Sequence, residues 1–147
     1  MLHNYKSYTE ALGYPAKIPK WKQSYLNELD AEPIGYVLQP IDVFEFITTF
    51  SDDGDYDDSN WLDRCNEYDK FVVEFIDIDK IELDRFYLNE DKLYEYMELY
   101  ENTKRYPTIV VSENENGYDV IDGNHRANAL KKLGLKKIKA YIGKNVT

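Results

Sequence analysis

The chain has 147 residues, 43% hydrophobic and 31% charged, which is ordinary globular usage for one domain. Fourteen tyrosines argue against disorder, because disordered chains are poor in aromatics. The formal net charge is −10, and Cys65, the lone cysteine, excludes an intramolecular disulfide and a cysteine-built zinc site.

Residues 1–19 show no sustained period and receive no assignment. From Lys20 to Asp30, Trp21, Tyr25 and Leu29 recur every four residues, which predicts an amphipathic helix. Pro33, Gly35 and Pro40 then punctuate the chain. Pro40 suits a first helical turn, so 40–47 reads as a helix, although its alternation also fits a short strand. The acidic stretch Asp52–Asp58 fails as a calcium loop. With Asp53, Asp55 and Asp57 at positions 1, 3 and 5, position 6 is Asp58 rather than Gly and position 12 is Arg64 rather than Glu. It reads as a solvated loop, and residues 60–69 are ambiguous.

The pattern sharpens from residue 71. Phe71–Ile78 is rich in branched and aromatic residues, a strand signal. Asp91–Thr103 places Leu93, Tyr96, Met97 and Tyr100 at helical spacing. Pro107–Val111 reads as a strand opened by proline, where proline is tolerated. A turn-rich loop at 113–117 and a strand at Tyr118–Ile121 complete a hairpin. Asn124–Leu133 reads as a helix closed by Gly134, a favoured residue just past a helix end. Ile138–Ile142 is the final strand.

Charge is divided along the chain. Residues 1–102 carry 24 acidic and 9 basic side chains, and residues 103–147 carry 4 acidic and 9 basic. The basic third either serves solubility or faces an anion such as a nucleotide or nucleic acid. Lys131, Lys132, Lys136, Lys137 and Lys139 make up the basic stretch that nucleic acid would use. The acidic, Tyr-rich N-terminal part would suit a basic protein partner. The first residues lack the apolar core of a signal peptide, and no run reaches the ~18 apolar residues of a membrane span. A soluble, cytoplasmic chain is expected.

The chemistry concentrates in Ile121-Asp122-Gly123-Asn124-His125-Arg126-Ala127, between a strand and a helix. Gly123 permits a tight turn and close backbone approach. Asn124 is a good helix N-cap. The next amides lie at the positive end of the helix dipole and suit an anion. Arg126 can add a bidentate fork and His125 a further donor, so phosphate is the ligand this turn suggests. The competing reading has Asn124 merely capping and Arg126 paired to a local carboxylate such as Asp122.

With the Pro-led strand, the hairpin, the Asp122–Ala127 turn, the Ala-containing helix and Leu133-Gly134, residues 71–143 resemble the core of the ParB/sulfiredoxin superfamily. The resemblance implies an α+β fold, a small mixed sheet with helices, at 71–147. An acidic helical extension, 1–70, would pack on it. It further implies a nucleoside phosphate (ATP, ADP or CTP), with Mg²⁺, bound at Gly123, Asn124, His125 and Arg126. His125, Arg126 and Asp122 would be catalytic, Asp122 orienting Arg126 or assisting a metal or water, with no protein-held metal site. Members bind and hydrolyse CTP, transfer phosphate to an oxidised cysteine, phosphorylate free serine, or are reported as nucleases.

Sulfiredoxin-type members carry Cys where this chain has Asn124, so sulfinic-acid repair is not expected. Partition-type members carry Glu-Arg-Arg there and continue into a DNA-binding domain, for which five residues after Ile142 leave no room. The Asp-Gly-X-His-Arg form is closest to the kinase and nuclease-like branches, whose slot is often His; Asn in its place removes a titratable group. The expected activity is phosphoryl cleavage or transfer, of NTPase, kinase or nuclease type. The alternatives are a non-catalytic nucleotide- or DNA-binding module and an acidic interaction protein. An Arg126→Ala change is expected to abolish nucleotide stabilisation with the fold intact.

Overall fold

The computed structural model describes residues 32–50 and 58–146. The helix expected at 20–30 and the acidic loop from Asp52 to Asp57 lie outside them. In chain order the elements are β1 (Val37–Leu38), α1 (Pro40–Phe50), α2 (Asp58–Cys65) and β2 (Lys70–Asp77), then a 3₁₀ turn (Ile78–Lys80) and β3 (Ile81–Glu82). They continue with α3 (Glu90–Thr103), β4 (Ile109–Glu113), β5 (Tyr118–Asp122), α4 (Asn124–Lys132) and β6 (Lys137–Lys144).

The strands form one mixed six-stranded sheet in the order β1-β2-β6-β4-β5-β3. Antiparallel pairs join β1 to β2, β2 to β6 and β4 to β5; parallel pairs join β4 to β6 and β3 to β5. Successive side chains on a strand point to opposite faces, and both faces are covered. Phe71, Val73, Val110, Ile121 and Tyr141 pack with Val43 and Ile47 of α1 and Trp61 and Cys65 of α2. Their neighbours Ile109, Val111, Ile138, Ala140 and Ile142 pack with Ala127 and Leu130 of α4. This explains the unbroken apolar run Ile109-Val110-Val111, buried throughout in a strand covered on both sides.

The third apolar cluster joins the helices: Leu93, Tyr96, Met97 and Leu99 of α3 meet Phe50 and Ala129. The α3 helix starts behind Asn89, whose side chain accepts from the Lys92 N–H, and ends on Lys104 in a left-handed conformation.

Several boundaries differ from expectation for identifiable reasons. Residues 40–50 are helical because Val43, Ile47 and Phe50 are all buried at spacings of four and three residues, which a strand could not achieve. The ambiguous 60–69 stretch contains the end of α2, with Trp61 and Cys65 on its buried face. Pro107 precedes its strand rather than opening it, and β4 begins at Ile109. Residues 37–50 and 61–65 contribute to the sheet and core, β1 hydrogen-bonding directly to β2.

Candidate functional site

The β5–α4 junction depends on Gly123. Its φ is +112°, a region costly for side-chain-bearing residues, and a Cβ there would come 2.7 Å from Ile109 Cγ2. The chain can therefore turn sharply at the end of β5 and lay α4 directly over β4. Gly123, not Asn124, occupies the cap position, and the first intrahelical bond runs from the Ala127 N–H to the Gly123 carbonyl. The amides of Asn124, His125 and Arg126 thus lie ahead of the helical ladder.

An open cleft of about 530 Å³ faces this junction. Its floor is Asp122, Gly123, Asn124 and His125, and Trp61 and Arg64 of α2 form one wall. Glu82, Asp84 and Tyr87 contribute from β3 and the loop after it.

The side chains of the turn work differently from their expected roles. Asn124 does not cap its own helix. Its Oδ1 accepts from the Asp84 N–H and its Nδ2 donates to the Asp84 carbonyl, both at 2.9 Å. Asn128 Nδ2 donates to the same carbonyl at 3.1 Å. His125 Nε2 accepts from the Asn89 N–H at 2.9 Å, so that nitrogen carries no proton in this arrangement. Two consecutive residues therefore tie both ends of the 84–89 loop to the start of α4. The loop leaves the rings of Phe86 and Tyr87 in solvent, 91% and 86% exposed.

Arg126 is fully buried and does not line the cleft. Its guanidinium donates to the carbonyls of Thr108, at 2.7 Å, and Phe50, and to the Asp122 carboxylate at 3.1 Å. It also lies 5.4 Å from the Tyr96 ring centroid. The fork expected to hold phosphate instead joins α1, the segment leading into β4, α3 and α4 behind the turn. Both members of the Asp122–Arg126 pair have side chains with no exposed surface.

The carboxylates around the cleft do not assemble into a metal site. Among the described residues no group of three or more His, Cys, Asp or Glu side chains could hold a metal ion. Asp122 is engaged by Arg126, Asp84 Oδ1 accepts from the Phe86 N–H, and Asp119 accepts from Asn114. A magnesium ion could reach this cleft only with most of its ligands supplied by phosphate and water.

Of the basic stretch, Lys131 pairs with Asp79 at 3.4 Å and Lys139 is buried, whereas Lys132, Lys136 and Lys137 are exposed. The stretch therefore does not present five free cations on one surface. Below the cleft wall, burial pushes the Cys65 thiol up to about 11, only partly opposed by the charge of Arg64. A thiol so raised is a poor nucleophile at neutral pH.

Residues 64–147 match the ParB N-terminal domain, a stretch that holds β2 to β6 and the whole Gly123 turn. The chain belongs to this family. Its mixed sheet with helices is the α+β arrangement expected for residues 71–147. Solved structures similar to it include a free serine kinase variant in complex with AMP, at 26% identity and a TM-score of 0.44. That match covers 48% of this chain and 30% of the kinase, so the chain spans under a third of the kinase's length. A kinase variant in complex with ADP matches over the same shares. Sulfiredoxin from Arabidopsis thaliana matches at 26% identity over 50% of this chain and 86% of its own, with a TM-score of 0.45. No curated protein matches the sequence.

Sequence reasoning missed Trp61, Arg64, Asp84 and Tyr87 as cleft residues. Trp61 and Cys65, four apart, carried a helical signal in the ambiguous segment. Asp84 and Tyr87 sit in a loop whose position depends on bonds from Asn124 and His125, and no local pattern announces such bonds.

Proposed function

We propose that this ParB N-terminal domain binds a nucleoside phosphate in the cleft at the β5–α4 junction and cleaves or transfers a phosphoryl group there. The observation that carries the reading is the cleft of about 530 Å³ opening on Gly123, Asn124 and His125 ahead of the first helical bond. Amides at a helix start favour a phosphate through both hydrogen bonding and the helix dipole. The absence of a Cβ at Gly123 lets the turn pack directly on Ile109, which fixes these amides at the cleft.

The chain's own residues divide the work. Gly123 and the amides of Asn124 and His125 receive phosphate oxygens. Asn124 and His125 hold the 84–89 loop at the mouth of the site through their side chains. Asp122 and Arg126 brace the turn from behind. Phosphoryl transfer depends chiefly on positioning and charge stabilisation, which a braced turn suits. Magnesium, entering with the nucleotide, would screen phosphate charge.

The test is titration of ATP, ADP and CTP, with and without Mg²⁺, followed by thermal unfolding. A ligand at 100 times its Kd should stabilise the fold by about 2.7 kcal/mol. Product analysis with nucleotide alone, with free serine, and with plasmid DNA then separates hydrolase, kinase and nuclease. No stabilisation by any of the three nucleotides at millimolar concentration removes the reading.

A further inference from the structure

The charges around the cleft are unevenly compensated. Asp122 is neutralised by Arg126 at 3.1 Å, and Asp84 and Asp119 accept hydrogen bonds from the Phe86 N–H and from Asn114. Arg64, on the opposite wall, is exposed, and its side chain bonds two carbonyls among the described residues. Its Nη1 donates to the Ile121 carbonyl and its Nη2 to the Val120 carbonyl, each at 3.3 Å. Among the described residues it pairs with no carboxylate.

We propose that Arg64, rather than the buried Arg126, is the arginine that contacts the phosphate of the ligand, so that α2 forms part of the binding site. This rests on the nucleotide reading above. A guanidinium has five N–H donors, and the two carbonyl bonds use two of them. Those bonds fix the plane of the fork at the end of β5, directly before the Gly123 turn, and leave donors for two phosphate oxygens. At 3.3 Å they lie beyond the usual N–H···O distance range and orient the group without saturating it. With the Asp122–Arg126 pair neutral as a unit, Arg64 is the cationic side chain that lines the cleft beside the turn, facing the carboxylates of Glu82, Asp84 and Asp119. A planar fork matches a phosphate in a way that an ammonium cannot.

The experiment is calorimetric titration of ADP and of pyrophosphate into the wild-type chain, Arg64→Gln and Arg64→Lys. Alongside it, arginine modification by phenylglyoxal is mapped by mass spectrometry on the wild-type chain with and without ADP. Arg64→Gln is expected to weaken both ligands roughly tenfold or more, the loss typical of a hydrogen bond to a charged group. Arg64→Lys should recover part of that loss, and bound ADP should protect Arg64 from modification. Unchanged ADP affinity in Arg64→Gln, or Arg64 modified equally with ADP bound, overturns this role while leaving nucleotide binding standing. If the wild-type chain binds neither ligand, this role falls, and the nucleotide reading falls with it when ATP and CTP also fail to bind. Should Arg64→Gln fail to fold, protection of Arg64 in the wild-type chain decides alone.

Discussion

Removing the Arg126 side chain should unfold or nearly unfold the protein, contrary to the expectation that the fold would survive. The guanidinium is wholly buried and holds the carbonyls of Thr108 and Phe50 and the Asp122 carboxylate. Arg126→Ala leaves Asp122 charged in a site with no exposed surface, and breaking such a buried pair from one side costs about 3–5 kcal/mol. A domain of this size has about 5–15 kcal/mol in total. With a urea m-value of about 1–3 kcal/mol/M, the unfolding midpoint should fall by about 1 M or more. The assay is urea unfolding followed by circular dichroism, on Arg126→Ala, Asp122→Leu and the double variant Asp122→Leu/Arg126→Met. Replacing both charges should cost less than the sum of the single changes, with a coupling of about 0.5–3 kcal/mol. An Arg126→Ala midpoint within about 0.3 M of wild type would refute the reasoning. Loss of nucleotide binding in Arg126→Ala, taken alone, would then report a damaged turn rather than a missing phosphate contact.

Gly123→Ala should lower the thermal midpoint and weaken ligand binding together, because the new methyl must displace Ile109 and sit at a φ of +112°; an unchanged midpoint speaks against a rigid turn. Asn124→Ala removes two bonds to the Asp84 backbone. It should cost roughly 1–3 kcal/mol, at the usual net value per hydrogen bond, and speed amide exchange at Asp84 more than in β4. Cys65, raised to about 11 by burial, should react with iodoacetamide far more slowly in the native protein than in urea at pH 8, and equal rates would contradict its burial. Burial also raises the Tyr141 phenol to about 12. Both groups keep their protons to higher pH when folded, so their contribution to stability is full below about pH 9 and is lost as pH rises through 11 and 12. Thermal unfolding from pH 8 to 11 should show this fall, and it should be shallower in Cys65→Ala.

Much of the sheet could be read directly from residues 71–142, because a strand covered on both faces needs an apolar run and a helix on one face needs a period near 3.6. The turn was equally legible, since Gly between a strand and a helix has a local conformational cause. The pairing of Arg126 with Asp122 was legible as the competing reading of the turn, whereas the partners of Asn124 and His125 and the burial of Arg126 were not. A side chain's hydrogen-bonding capacity is a property of its type, but its partner depends on what the fold brings within about 3 Å. Asn124 found Asp84, forty residues earlier, and Arg126 found Phe50, seventy-six residues earlier.

The sequence by itself therefore determined the order of the long elements from β2 to β6, the family and the place where the backbone turns. Only the tertiary structure decided which arginine is braced in the interior and which reaches the cleft. The reason is physical. Periodicity and backbone strain act over a few neighbouring residues and leave a mark in the sequence, whereas burial of a charge depends on several distant segments closing around it.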